Sequence, residues 1–276
     1  MTKIDAKTPE TKKESWSELM KTALIALLLA VLIRSFAWEP FNIPSGSMFP
    51  TLMIGDYLFV DKYPYGYSRY SFPFGAIPIE DRIWTQHMPK RGDVIVFKLP
   101  TNTSTDYIKR IIGMPGDKIQ VINGRLYINN NMIERTPLGY ERLDNGNGAM
   151  LTVMRYRETL PGGVTHDIYE ESDTGPLDNA GPFYVPEGHY FGMGDNRDNS
   201  RDSRVMDLVG YIPFKNIVGR ASLIFFSVSG DAPFYKVWEW PFDIRYSRLM
   251  QAIGPENQGS VTAATVPSAY AQDQKP

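Results

Sequence analysis

The 276-residue chain contains no cysteine. That excludes disulfides, thiol nucleophiles and thiolate metal sites, though it says nothing about compartment, because an oxidising space permits disulfides without requiring them. Histidine is nearly as scarce. The three present, His87, His166 and His189, are isolated, and no His-Glu-x-x-His occurs, so no metal site is read from the sequence. There is no excess of positive charge either. The formal net charge is -2, which gives no electrostatic case for nucleic acid. Long apolar runs are absent except for one near the N-terminus.

What is present is a foldable composition, with 42% hydrophobic and 22% charged residues. Glycine (23) and proline (21) are frequent and aromatics reach 13%, a mixture that favours many short strands joined by turns. Residues 1–21 read as a polar tail carrying Lys3, Lys7, Lys12 and Lys13. Ala23 to Ile33 is uninterrupted apolar sequence. As a helix, Thr22 to Trp38 spans about 25 Å, enough to cross a bilayer only if Lys21 and Arg34 reach the two interfaces. A cleaved signal peptide and a buried soluble helix compete with an uncleaved anchor. The anchor is favoured: Ser35-Phe36-Ala37 before Trp38 is a poor cleavage site, and the run is apolar on every face. The lysines before it put the N-terminus in the cytoplasm.

Pro44-Ser45-Gly46-Ser47-Met48-Phe49-Pro50 follows. Its two prolines and central glycine make a stiff, non-helical loop able to hold a hydroxyl in place; an ordinary turn is the plainer reading. The aromatic stretch Tyr63–His87 is expected to pack on the body or touch lipid. Val94–Phe97 reads as a buried strand. In Tyr107-Ile108-Lys109-Arg110-Ile111-Ile112, alternation places Lys109 and Arg110 on opposite faces. Either this is an edge strand guarded by charge, or one base is buried for chemistry. Only lysine can then become neutral, so Lys109 is the chemical candidate and Arg110 the structural one.

Asn123-Gly124 marks a β-hairpin between Ile119–Ile122 and Leu126–Ile128. Glu134 to Pro182 is polar, with strands at Met150–Tyr156 and Thr165–Tyr169. The run Gly194-Asp195-Asn196-Arg197-Asp198-Asn199-Ser200-Arg201-Asp202-Ser203-Arg204 fails as a calcium loop, since Ser203 stands where glycine is required. It is a solvated loop or a carboxylate–arginine network. Gly219–Val228 contains a last strand. Trp238 and Trp240 form an interfacial pattern, and the tail from residue 246 reads as disordered. Its Ala269-Tyr270-Ala271 is a small-x-small tripeptide and a candidate self-cleavage site.

Without cysteine or clustered histidine, a rigid-loop serine and a lysine on an apolar strand leave a Ser-Lys pair as the available hydrolytic machinery. A Ser-His-Asp site using His166 or His189 stays open, as does a membrane-tethered β-domain that only binds partners. Four segments, Phe41–Leu52, Lys90–Phe97, Tyr107–Asp117 and Gly194–Arg204, resemble in order the boxes of bacterial type I signal peptidases.

The resemblance implies Ser47 as nucleophile, Lys109 as general base, and an oxyanion hole from the Ser47 N–H and the Ser45 hydroxyl. Ser200 would orient the lysine, and Asp202, Arg204, Asp195 and Arg110 would brace the site, without a cofactor. The implied fold is mainly β: a coiled antiparallel catalytic body (39–117 and 187–245) with a β-rich insertion (118–186), behind one transmembrane helix (22–38). Implied partners are secretory preproteins cut after small-x-small motifs, and the lipid bilayer; the implied location is the inner membrane with the body on the outer side. Departures are a second N-terminal span and a cysteine pair, found in two-anchor members and missing here.

Overall fold

The computed structural model describes residues 16–72, 75, 78–144, 150–229, 243–254 and 256–257. Trp238, Trp240 and Ala269-Tyr270-Ala271 lie outside them. The chain is mainly β, with antiparallel sheets behind one N-terminal apolar helix, as expected.

That helix, α1, runs Trp16–Phe36, 21 residues with a mean hydropathy of 2.0 over its most apolar window. At the standard rise it is about 31 Å long, a full hydrocarbon thickness. It begins six residues before the expected span at Thr22. Nothing between Ser17 and Lys21 breaks a helix, and Glu18 sits in the first turn, where the helix dipole favours an acid. Its far end is fixed to the body. Lys62 Nζ donates to the Arg34 carbonyl (2.9 Å) and to the Ser71 carbonyl (2.6 Å), and the Tyr67 hydroxyl donates to the Phe36 carbonyl (2.7 Å). Carbonyls of the last turn, which no helical N–H reaches, are thereby satisfied. Phe36 also packs edge-on against Tyr67 and Phe72. The aromatic stretch therefore does pack on the body: Tyr65, Tyr67 and Phe72 are buried, whereas Tyr63 and Trp84 stay exposed.

The main sheet uses β1 (Trp38–Asn42), β2 (Asp56–Asp61), β3 (Val94–Leu99), β4 (Asn102–Gly113), β12 (His189–Met193), β13 (Ile212–Pro213), β14 (Ile217–Ser227) and β15 (Gln251–Ala252). The order is β1-β2-β14-β3-β4-β12-β13, with β15 added to β14. Between β4 and β12 the chain builds two further four-stranded sheets. One comprises β5 (Lys118–Ile122), β6 (Arg125–Ile128), β7 (Asn131–Met132) and β11 (Ala180–Tyr184). The other comprises β8 (Glu134–Asp144), β9 (Met150–Leu160), β10 (Val164–Glu170) and β16 (Glu256–Asn257). Asn123 (φ 49°) and Gly124 (φ 69°) take the left-handed conformations that a two-residue hairpin turn requires.

Three further differences from the sequence reading have physical causes. The tail read as disordered from residue 246 begins with an ordered turn, Tyr246–Arg248, held by the Arg248 pair with buried Asp56 (2.5 Å), and then adds β15 and β16 to two sheets, so Gly219–Val228 is not the last strand. Strand β4 is not an edge: β3 pairs with it along most of its length, and β12 pairs with its Arg110–Gly113 end. Charge at Lys109 and Arg110 is therefore not an aggregation guard. Strand β8 carries no hydrophobic alternation and read only as polar sequence. It survives because β9 pairs with it residue by residue and because Arg155 bridges Glu141 and Asp167 beside it.

The core has three apolar clusters. One holds Ile43, Met48, Leu52, Leu58, Val60, Val94, Val96 and Ile224 under the Ser47 loop. A second joins the insertion to the body through Ile112, Phe191 and Met193. The third surrounds Ile95, Phe97, Ile111 and Tyr190.

Candidate active site

The Ser47 loop is held from below. Gly46–Met48 form a single 3-10 turn entered from an extended Ser45 (φ -136°, ψ 152°). Met48 and Leu52, both fully buried, plug the loop into the core. Asn196 grips it from the side: its N–H donates to the Ser47 carbonyl (3.2 Å) and its Nδ2 to the Gly46 carbonyl (3.1 Å). The Ser47 hydroxyl is thus carried on a backbone fixed at several points.

Lys109 reaches it from β4. Its Nζ donates to Ser47 Oγ at 2.8 Å and to the Ile108 carbonyl at 2.8 Å, with the Tyr107 ring 5.5 Å away. Lys109 is only 3% exposed. Burial pushes its ammonium down, to about 8, against the opposing pull of the Asp202 and Asp195 carboxylates.

Behind the pair lies a buried ionic frame. Asp195 is clamped by Arg110 through Nε (2.8 Å) and Nη2 (2.6 Å), while Arg110 Nη1 donates to the Gly92 carbonyl. Thr51 Oγ1, from the serine loop, donates to Asp195 at 2.5 Å. Burial alone would raise the Asp195 carboxyl; Arg110 outweighs it and holds the group below the usual range. Asp202 accepts the Gly194 N–H (3.0 Å) and is held by Arg204 Nε and Nη2, both at 2.9 Å. Arg197 fastens the same loop to the insertion by a bidentate pair with Glu158 (2.9 and 2.6 Å). The polar run at 194–204 is therefore a carboxylate–arginine network, the second of its two sequence readings.

Ser200 differs from the role implied by resemblance. It lines the same cleft, but its Oγ is buried without a hydrogen-bond partner and does not hold the Lys109 ammonium. Ser45 is exposed on the cleft rim. Of the histidines, His166 lies buried between Glu158 (3.3 Å) and Asp195 (3.8 Å), and His189 bonds the Glu187 carbonyl. The Ser47 hydroxyl has Lys109, not a histidine, as its hydrogen-bonded neighbour.

Sequence reasoning missed three contributors. Asn196 and Thr51 hold the loop, and Gly194 makes the close approach possible. A Cβ at Gly194 would lie 2.2 Å from Ser200 Oγ and 2.5 Å from the Ser47 carbonyl oxygen, so only glycine fits. The glycine opening that polar run was the available signal. The insertion also reaches the site: its Pro176 and Leu177 line the same cleft as Ile43 and Ile108.

The cleft measures 570 Å³ and has Ser47 and Lys109 in its wall. Pairing of β4 with β12 stops at Arg110, and Tyr107–Lys109 beyond it line the cleft. Strand β1 is an outer strand of the main sheet, and Phe41–Ser45 lines the same space. A hydroxyl bonded to a buried amine beside an outer strand can attack an extended peptide.

The arrangement is that of a hydrolase acting on peptides, and relatedness agrees. The family described as "Signal peptidase, peptidase S26" matches residues 16–226. Signal peptidase I of Rickettsia typhi is 40% identical over 92% of this chain and 93% of its own. Signal peptidase I of Rickettsia conorii is 41% identical over 90% of each. A crystal structure of a signal peptidase I from Enterococcus faecalis aligns with 49% of this chain and 97% of its own, at 24% identity and a TM-score of 0.29. The chain belongs to the signal peptidase family, peptidase S26, and is a signal-peptide-cleaving peptidase.

Proposed function

We propose that this chain is a membrane-anchored serine endopeptidase that removes N-terminal signal peptides from translocated preproteins after small-x-small motifs. Ser47 is the nucleophile and Lys109 the general base. The observation that carries this is the 2.8 Å contact between Ser47 Oγ and a buried Lys109 Nζ. With its amine neutral, Lys109 accepts the Ser47 proton over that contact as Oγ attacks the scissile carbonyl. The oxyanion is met by the Ser47 N–H and the Ser45 hydroxyl. Lys109 then passes the proton to the departing amine, and a water, deprotonated by the again neutral Lys109 Nζ, releases the acyl group from Ser47.

The frame of Asp195, Arg110, Asp202 and Arg204 fixes the loops that carry the pair. Ser200 contributes by filling the space against Gly194. The anchor is α1, exposed along almost its whole length. Lysines before it favour a cytoplasmic N-terminus, with the body on the outer face of the inner membrane.

The test is cleavage of a preprotein by the Lys109→Ala and Ser47→Ala forms. Both are expected to lose activity while far-ultraviolet dichroism stays that of the parent. Cleavage retained by Lys109→Ala would remove the dyad, and cleavage lost by the His87/His166/His189 triple alanine form would favour a histidine base.

A further inference from the structure

A second cavity, 580 Å³ in volume, lies at the junction of α1 and the body. Its charged walls are Arg34, Glu39, Lys62, Arg69, Lys98 and Asp106, four cations against two carboxylates. Glu39 is shared by Arg34 (2.6 Å) and Lys62 (2.9 Å), and Asp106 is taken by Lys98 (2.9 Å). Arg69 has no carboxylate partner among the described residues. The cavity thus holds a surplus of two positive charges, and the Arg69 guanidinium, 5.7 Å from the Tyr70 ring centroid, is exposed.

Position identifies the occupant. Arg34 belongs to the last turn of α1, so a helix that spans the bilayer brings this cavity to headgroup level. Exposed aromatics surround the junction. Trp38 immediately precedes Glu39, and the exposed Trp84 packs on Tyr67, which contacts Phe72 in the cavity wall. Tryptophan and tyrosine gather at the membrane–water interface, where the abundant anion is the phosphodiester of a lipid.

We propose that this cavity binds the headgroup of an anionic phospholipid, with Arg69 as its principal phosphate donor and Arg34 and Lys98 adding field. This rests on the reading of α1 as a membrane anchor. Phe41 and Asp106 line both this cavity and the catalytic cleft, so a bound headgroup braces one wall of the peptide-binding space.

The test reconstitutes the full chain in vesicles of phosphatidylcholine alone or with phosphatidylglycerol. Flotation is scored first, then lipids retained on the chain are read by native mass spectrometry. Retention of phosphatidylglycerol over phosphatidylcholine is expected. Arg69→Gln should weaken it about tenfold, the loss of one charge-assisted contact. Arg69→Lys should restore part of it, and Lys215→Gln, an exposed lysine outside the cavity, should leave it unchanged. A chain that does not float with either vesicle refutes the anchor. A chain that floats but shows no preference for phosphatidylglycerol, or an equal preference in Arg69→Gln, overturns the headgroup site alone.

Discussion

Replacing Arg110 by methionine removes the cation that holds Asp195. Both side chains are 1% exposed, so the carboxylate left behind has no water to turn to. Three polar contacts besides the charge pair's shortest one disappear with it, to Asp195 Oδ1, the Gly92 carbonyl and Thr51 Oγ1. Breaking one side of a buried pair costs about 3–5 kcal/mol. For a body of this size each kcal/mol moves the midpoint by about 2–4 °C, so a fall in Tm of about 6–20 °C is expected. Differential scanning fluorimetry on the detergent-solubilised full chain measures it. Methionine nearly matches the arginine stem in volume, so the loss reports on charge and not on a cavity. The double form Arg110→Met/Asp195→Leu should recover much of the loss, because no unpaired charge remains. A fall below about 2 °C in the single variant, or a double variant no better than the single, would refute the idea that this pair holds Thr51 and the serine loop in place.

Gly194→Ala should abolish cleavage and lower Tm, since the new methyl would lie 2.2 Å from Ser200 Oγ and 2.5 Å from the Ser47 carbonyl oxygen; thermal melts and preprotein cleavage on the same sample read both. Ser45→Ala should lower kcat by about 100- to 1000-fold, the loss of one oxyanion donor. Because Ser45 is exposed and its side chain caps nothing, Tm should hold within 1–2 °C, about the noise expected of a surface change. Steady-state kinetics with a signal-sequence peptide would separate the two readouts, and an unchanged kcat would remove Ser45 from the oxyanion hole.

Much of this molecule was legible in its residues. Gly46 between two serines and two prolines announced a stiff loop, and Asn123-Gly124 announced the hairpin that forms there. Lys109, set among isoleucines, was marked as a base that burial could neutralise. What stayed hidden depends on pairing across long stretches of chain. Asn196 reads as one polar residue in a polar run, and its grip on the Gly46 and Ser47 carbonyls appears only when two segments 150 positions apart meet. Strand β8 leaves Leu138 and Tyr140 exposed, because it lies on β9 as an outer ribbon and buries little. The helix starts at Trp16, ahead of the apolar run, because Lys21 ends the hydrophobic pattern without ending the helix, and a helix stops only at a residue that cannot continue it. The contact between Ser200 and Lys109 that the resemblance implies is not made: the Ser200 hydroxyl has no hydrogen-bond partner and is packed against the space that Gly194 leaves open.

The central claim is that a neutral Lys109 takes the proton of Ser47, and the pH dependence of kcat/KM tests it most directly. Burial has moved the Lys109 group from 10.5 to about 8. Only the deprotonated amine can act as base, so activity must rise with pH through that value. The neutral fraction is about 10% at pH 7 and about 90% at pH 9, so a rise of roughly tenfold is expected, with the half-point near 8. A profile already flat between pH 7 and 9, or one still climbing with a half-point near 10.5, would contradict it.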